Sequence, residues 1–395
     1  MFQTLPDYQD PFQSNSSLGT YTKSEHPCLE ISARRVERWA LKEASRSLLF
    51  QFCRKDKKLN IQKKFRVTQC LRLPLSVSVP IKLKNNVAYY TKLNVCGSVW
   101  TCPICASKIT EGRRSELKAA CDFWQSSGGQ IALVTTTIPH KRSDSLESLV
   151  IRFQKARILW RKRPSYKTTA KKFGIVGSIR ALEITYGVNG WHPHFHELFF
   201  YNLTETLYVN KNHHLHFLQF EFVNQWQFAA ISAGIKRPSD AYGLDVRNGD
   251  FAADYVAKFG QESRSGWGVD QELTKGHIKQ ARVGVSPFDM LRSFIQTGDI
   301  SDTAPAQYYI EYALSMFGKR QLFWSPGLKQ HLQVKERSDQ QLAEHVDTSS
   351  LSLGSLDLNQ WRFILRHSLQ GQVLEFASIG GIEAVNDFLG SKGYG

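Results

Sequence analysis

The chain has 395 residues, of which 42% are hydrophobic, 12% aromatic and 22% charged. That composition can bury a core and excludes a disordered, collagen-like or coiled-coil protein, while the length suggests two or three structural units. Lys and Arg number 51 against 35 Asp and Glu, a formal charge of +16, which points to a polyanion partner, nucleic acid before a membrane surface.

In chain order, residues 1–65 begin polar and Ser-rich and then read as a basic helix, SARRVERWALKEASRSLLFQFCRKDKK. The opening MFQTLPDYQDPFQ lacks a basic stretch followed by an apolar core. No apolar run approaches the roughly 20 residues of a membrane span. The expectation is a cytoplasmic chain with no membrane partner. Residues 31–72 hold thirteen basic and three acidic side chains, and residues 151–172 hold nine basic and none acidic. By contrast, residues 331–395 hold five basic and eight acidic. Phe52, Phe65, Phe153, Trp160 and Tyr166 interleave the two basic blocks. Phosphate pairing with aromatic stacking is how single-stranded nucleic acid is held, so both blocks are read as nucleic-acid-binding faces.

Residues 66–125 read as short strands, a cysteine knuckle and a helix. Seven cysteines without a secretory signal argue against a disulfide framework. Cys102-Pro-Ile-Cys105 is a C-x-x-C turn, and Cys96 lies six residues earlier, across Gly97. A zinc ion takes four thiolate or imidazole ligands in a tetrahedron, and such a turn supplies two of them. For the fourth, Cys70 in the strand-like run FRVTQCLRLPLSV is preferred to Cys121. The latter falls in a helix-like stretch, SKITEGRRSELKAACDFW, and is expected to pack against the core.

Residues 126–335 continue as strands and helices, with QIALVTTTI (130–138) a buried strand stopped by Pro139. In IRALEITYGVNGWHPHFHELFF (179–200), two alternating stretches flank GVNG, a hairpin signal. Side chains two apart share a strand face, so His194 and His196 point one way and Phe195 the other. A four-residue loop at 187–190 sets Glu183 opposite His194. A two-residue loop at 189–190 sets it opposite His196, and an odd loop or a bulge turns it away. Two imidazoles and a carboxylate on one face make a site for a divalent metal, with positions left open for substrate oxygens. His192, at the strand's start, is read as supporting or structural. A second H-x-H, His214 and His216, precedes a helix-like stretch, where residues two apart diverge by about 200°, and is set aside.

Further on, GLDVRNGDFAADYVAKFGQE puts Tyr255 and Lys258 on one helical face. Beside a metal, such a tyrosine can attack a phosphodiester while the lysine stabilises developing charge. Residues 336–395 read as a linker, SSLSLGSLDL, and a small helical tail.

With LVTTTIPH before it and DYVAKFG after it, WHPHFHELFF resembles the three ordered motifs of the HUH endonucleases. More narrowly, the set is similar to the rolling-circle replication initiators (Rep proteins) of small bacterial plasmids. CGSVWTCPICASKI and GKRQLFWSPGLK (318–329) resemble that plasmid family too, so the likeness runs from about Cys70 to Lys329. It implies an α+β fold: an HUH-type central antiparallel sheet flanked by helices, with the zinc-knuckle module inserted or appended. It implies Mg²⁺ or Mn²⁺ at Glu183, His194 and His196, with Tyr255 nicking DNA to leave a 5′-phosphotyrosine link. Zn²⁺ at Cys70, Cys96, Cys102 and Cys105 would be structural. The implied partners are plasmid double-strand origin DNA, single-stranded DNA, and the host helicase and DNA polymerase of a bacterial cytoplasm. Some members carry a Glu four residues before the tyrosine for termination; here that position is Phe251, leaving Asp250 and Asp254 as candidates. The alternatives are a relaxase or transposase using the same motifs, or a non-catalytic zinc-ribbon regulator.

Overall fold

In the computed structural model, which describes residues 27–55, 65–202, 213–249, 285–297, 304–335, 337–344 and 349–395, the strands form two antiparallel sheets. The smaller is built on the hairpin of β1 (Val79–Lys84) and β2 (Val87–Tyr90). Asn85 and Asn86 turn it with φ of 49° and 60°, the left-handed pair that a two-residue hairpin turn requires. The larger sheet has five strands in the order β6 (Leu244–Asn248), β3 (Gln130–Thr137), β5 (Gly190–Tyr201), β4 (Ile175–Gly187) and β7 (Leu322–Trp324). An antiparallel sheet flanked by helices is what the α+β expectation asked for.

One face of the large sheet is apolar along its length. Phe195 and Phe199 of β5 meet Phe153 and Trp160 from helix Leu146–Lys162, and Trp226 from helix His214–Ser232. The opposite face is apolar only at one end. There Ile131, Leu133, Ile179, Ala181, Leu198 and Phe200 lie under Leu117, Ala120, Cys121 and Trp124 of helix Pro103–Ser126. Along the same strands, at the same side-chain parity, the residues then turn polar: Thr135, Glu183, His194 and His196. This polar half of the face carries Glu183, His194 and His196, close enough together to hold a metal ion.

Three expectations need correction. The aromatics that interleave the basic blocks are core, not stacking platforms: Phe65, Phe153, Trp160 and Tyr166 are all buried. Residues 146, 149, 150, 153, 156 and 160 are the inward stripe of one helix, and helical periodicity, not charge, decides where those rings point. The run around Cys70 is not a strand. Arg66–Gln69 is a short 3-10 turn that buries Val67 and ends with Cys70 N–H bonded to Val67 O.

The third correction concerns the stretch read as a linker, because Leu351–Leu356 is strand β8. It pairs with β1 and completes the small sheet in the order β2-β1-β8. Of the helices that follow, Leu358–Arg366 and Gln370–Ser391, the longer packs back on the amino-terminal helix Pro27–Lys55 and on β2. Arg35 meets Glu375 at 2.6 Å, and Trp361 packs edge-on to Tyr90 while donating to Arg72 O at 2.9 Å. The last 45 residues therefore fold onto the cysteine-bearing region. Among the described residues no helix is long and apolar enough to cross a membrane.

Candidate metal centres

Cys70, Cys96, Cys102 and Cys105 converge although they come from a 3-10 turn, an extended segment and a helix start. Sγ–Sγ separations are 3.6 Å for Cys70–Cys105 and Cys96–Cys105, and 3.7 Å for Cys70–Cys102. Four thiolates about 2.3 Å from one zinc ion stand about 3.8 Å apart, so the sulfurs are already spaced as the corners of such a tetrahedron. Cys102 caps helix Pro103–Ser126, with Pro103 in the first turn, and its sulfur accepts Cys105 N–H. Gly97, at φ 63°, lets the chain turn so that Ser98 N–H reaches the Cys96 sulfur. All four cysteines are buried, and Cys121 packs elsewhere in the core.

The electrostatics around this cluster are those of an anionic group. The Lys42 side chain is wholly buried, 3.5 Å from the Glu43 carboxylate. Burial pulls its ammonium below the ordinary lysine range, while Glu43, Cys102 and Cys70 pull the other way. Lys108 is likewise lowered by burial and supported by Cys105, Cys70 and Cys102. Two cations next to four thiols suit a tetrathiolate holding a divalent ion, whose net charge is negative. No sequence signal singled out Lys42, which sits on a helix distant from the knuckle, whereas Lys108 follows Cys105 by three residues on the helix that Cys102 caps.

The second group lies on the half-open face of the large sheet. Gly187 pairs with Gly190, so the turn is Val188-Asn189, and Tyr186 pairs with Trp191. Glu183 is therefore directly across from His194, and Ala181 across from His196. Glu183 Oε2 lies 2.7 Å from His194 Nε2 and 3.0 Å from His196 Nε2. The partner alanine leaves the space that a larger residue would take. His196 is buried, His194 nearly so, and Glu183 keeps about a third of its side chain exposed (32%), so the group opens to solvent through its carboxylate.

The ring nitrogens facing away are also engaged. His194 Nδ1 is 3.1 Å from His192 O, a carbonyl that can only accept, so Nδ1 carries a proton. His196 Nδ1 is 3.0 Å from Thr135 Oγ1 on the neighbouring strand. With Nδ1 of His194 donating, its Nε2 faces a carboxylate at 2.7 Å only if it holds a second proton or shares a cation. That donor set, two imidazoles and one carboxylate, fits a divalent cation. Burial works against charge on Glu183, but the hydrogen bonds from His194 and then His196 outweigh it and hold the carboxyl far below its ordinary range. His192 is pushed down to about 3 by burial and by the neighbouring His194 and His140, and its ring stacks on His140 at 4.8 Å.

Beneath the histidines, on the opposite face, is a residue that sequence reasoning missed. Glu197 is buried and accepts two bonds from Arg157, at 2.6 and 3.2 Å, and one from Ser178 at 2.6 Å. Part of the basic block 151–172 is thus used internally, tying its helix to the histidine strand. The set-aside histidines behave as expected: His214 bonds the Tyr201 hydroxyl at 2.7 Å, and His216 is exposed. Tyr255, Lys258, Asp250 and Asp254 lie outside the described residues.

The fold and its sites define a chain with an antiparallel sheet, a buried four-cysteine group and a Glu/His/His group, each able to hold a metal ion. It is 27% identical to a Streptomyces lividans protein described as "Protein rep", over 69% of this chain and 73% of that one. It is also 29% identical over 128 residues to a "Neomycin resistance protein" of Streptomyces cyanogenus, of whose length it spans 29%. No protein-family model and no solved structure matches the chain.

Proposed function

We propose that this protein initiates plasmid replication by nicking and rejoining DNA at the plasmid's origin, in the manner of the rolling-circle HUH initiators. The observation that carries the reading is the convergence of Glu183 Oε2 with both histidine Nε2 atoms on the uncovered half of the sheet. Similarity to a protein described as "Protein rep" and the charge of +16 support the same direction. In this reading Mg²⁺ or Mn²⁺ at Glu183, His194 and His196 supplies Lewis acidity to the scissile phosphoryl group.

The chain's own residues do the rest. Thr135 and the His192 carbonyl hold the Nδ1 protons of His196 and His194, keeping both Nε2 lone pairs directed at one point. Arg157 and Glu197 fix the strand that carries them. The Tyr255 hydroxyl attacks the phosphorus, forming an O–P bond to the 5′ side as the 3′ oxygen leaves and becomes a free hydroxyl. Lys258 offsets the developing charge. The tyrosyl phosphodiester keeps the bond energy, so rejoining needs no ATP. The four cysteines hold Zn²⁺ as a structural ion, closed to substrate.

The test is incubation with 3′-labelled single-stranded origin DNA and Mn²⁺. A covalent protein–DNA adduct resistant to denaturation is expected. A mobility shift without cleavage would leave a non-catalytic DNA-binding regulator instead.

A further inference from the structure

Edge strand β7 borders a cleft of about 470 Å³. Arg320, Trp324 and Lys329 line it on one side, and Arg113, Arg337 and Asp339 on the other. Four cations face few carboxylates. Asp339 bonds Arg113 at 2.8 Å, and buried Glu116 accepts from both Arg113 (2.7 Å) and Arg337 (3.4 Å), so the two arginines are held in place and the cleft stays net positive. Lys329 Nζ lies 5.2 Å from the ring centre of Trp324, whose indole N–H is buried with no partner among the described residues.

The register relates this cleft to the Glu/His/His group. Trp324 pairs with Ile179 and Leu322 with Ala181, and Leu182 N–H bonds Gln321 O. By parity Trp324 and Leu322 belong to the same sheet face as Ile179, Ala181 and Glu183. The cleft therefore lies along the sheet edge, against the strand that pairs with the Glu183-bearing β4.

We infer that this cleft is the seat of a single DNA strand next to the scissile phosphate, with Arg320 and Lys329 pairing its phosphates and the Trp324 N–H donating to it. The inference rests on the proposed DNA-nicking function and assigns the strand a path.

Fluorescence anisotropy with a labelled single-stranded oligonucleotide, in EDTA so that no cleavage intervenes, tests it across a salt series. Arg320→Ala/Lys329→Ala in the full chain is compared with the charge-matched pair Arg362→Ala/Arg366→Ala in helix Leu358–Arg366. For single strands each lost phosphate contact lowers the log–log salt slope by about 0.7, so the cleft pair should lose about 1.4 and bind about tenfold more weakly. The control pair should match the wild type. Equal slopes for the cleft pair and the wild type would overturn the cleft while leaving DNA nicking intact. A wild type that binds no single strand would overturn both.

Discussion

Thr135 Oγ1 lies 3.0 Å from Nδ1 of His196, across the β3–β5 pairing that sets the two residues opposite each other. The hydroxyl holds the ring in the orientation that directs Nε2 at Glu183. Thr135→Val keeps the shape and removes the partner. Partners of this kind are typically worth 10–100-fold in metal affinity, and a loss of about that size is expected for Mn²⁺ measured by calorimetry. Unchanged Mn²⁺ affinity would show that the hydroxyl does not orient the ring.

Glu197 is a buried carboxylate whose charge survives through Arg157. Burial alone would raise its pKa, but Arg157, Arg161 and the Ser178 hydroxyl bring it down to about 2. A carboxyl with a depressed folded-state pKa contributes stability above its unfolded value, about 4.3, and loses it as pH falls towards 2. Stability should therefore drop in that window, and the drop should vanish in Glu197→Gln. Arg157→Met, which leaves the carboxylate buried and unpaired, should cost about 3–5 kcal/mol by denaturant unfolding at pH 7.

The four cysteines predict a metal content distinct from the Glu/His/His group. The purified protein should hold one zinc per chain through dialysis, yet require added Mg²⁺ or Mn²⁺ to nick. Cys102→Ser should lose the zinc and loosen the region around 65–125, because binding there is coupled to folding. Elemental analysis that finds the substituted protein still zinc-loaded would refute the assignment.

Tyr255→Phe should abolish the covalent adduct on a denaturing gel and leave oligonucleotide binding nearly unchanged. His196→Ala should abolish both cleavage and its metal dependence. Normal nicking by the tyrosine variant would move the nucleophile elsewhere.

Trp361 joins the carboxy-terminal segment to the rest of the protein, buried against Tyr90 and donating to Arg72 O. Trp361→Ala should cost about 3–5 kcal/mol, read from the denaturant midpoint, with the small sheet exchanging its amide protons faster. A change under 1 kcal/mol would mean that the segment adds little to the fold.

Local chemistry was enough to read much of this protein from its sequence. Parity within a strand put His194 and His196 on one side, and the apolar run 130–138 announced β3 at the sheet's interior. The knuckle spacing supplied two sulfurs of four. What sequence left open was register: a four-residue loop, a two-residue loop and a bulge were all compatible with GVNG, and the observed Gly187–Gly190 pairing, with its turn at Val188-Asn189, sets Glu183 against His194, the register of the four-residue loop. Long-range pairing was equally out of reach. Nothing local connects Glu197 with Arg157, Lys42 with the cysteines, or Leu351–Leu356 with β1, because each partnership depends on elements far apart in the chain meeting across a core. For the same reason the basic block 151–172 was legible as charge but not as a buried aromatic stripe with its cations turned partly inward. Periodicity determines which side chains share a face. Only packing determines whether that face meets solvent, a metal site or the core.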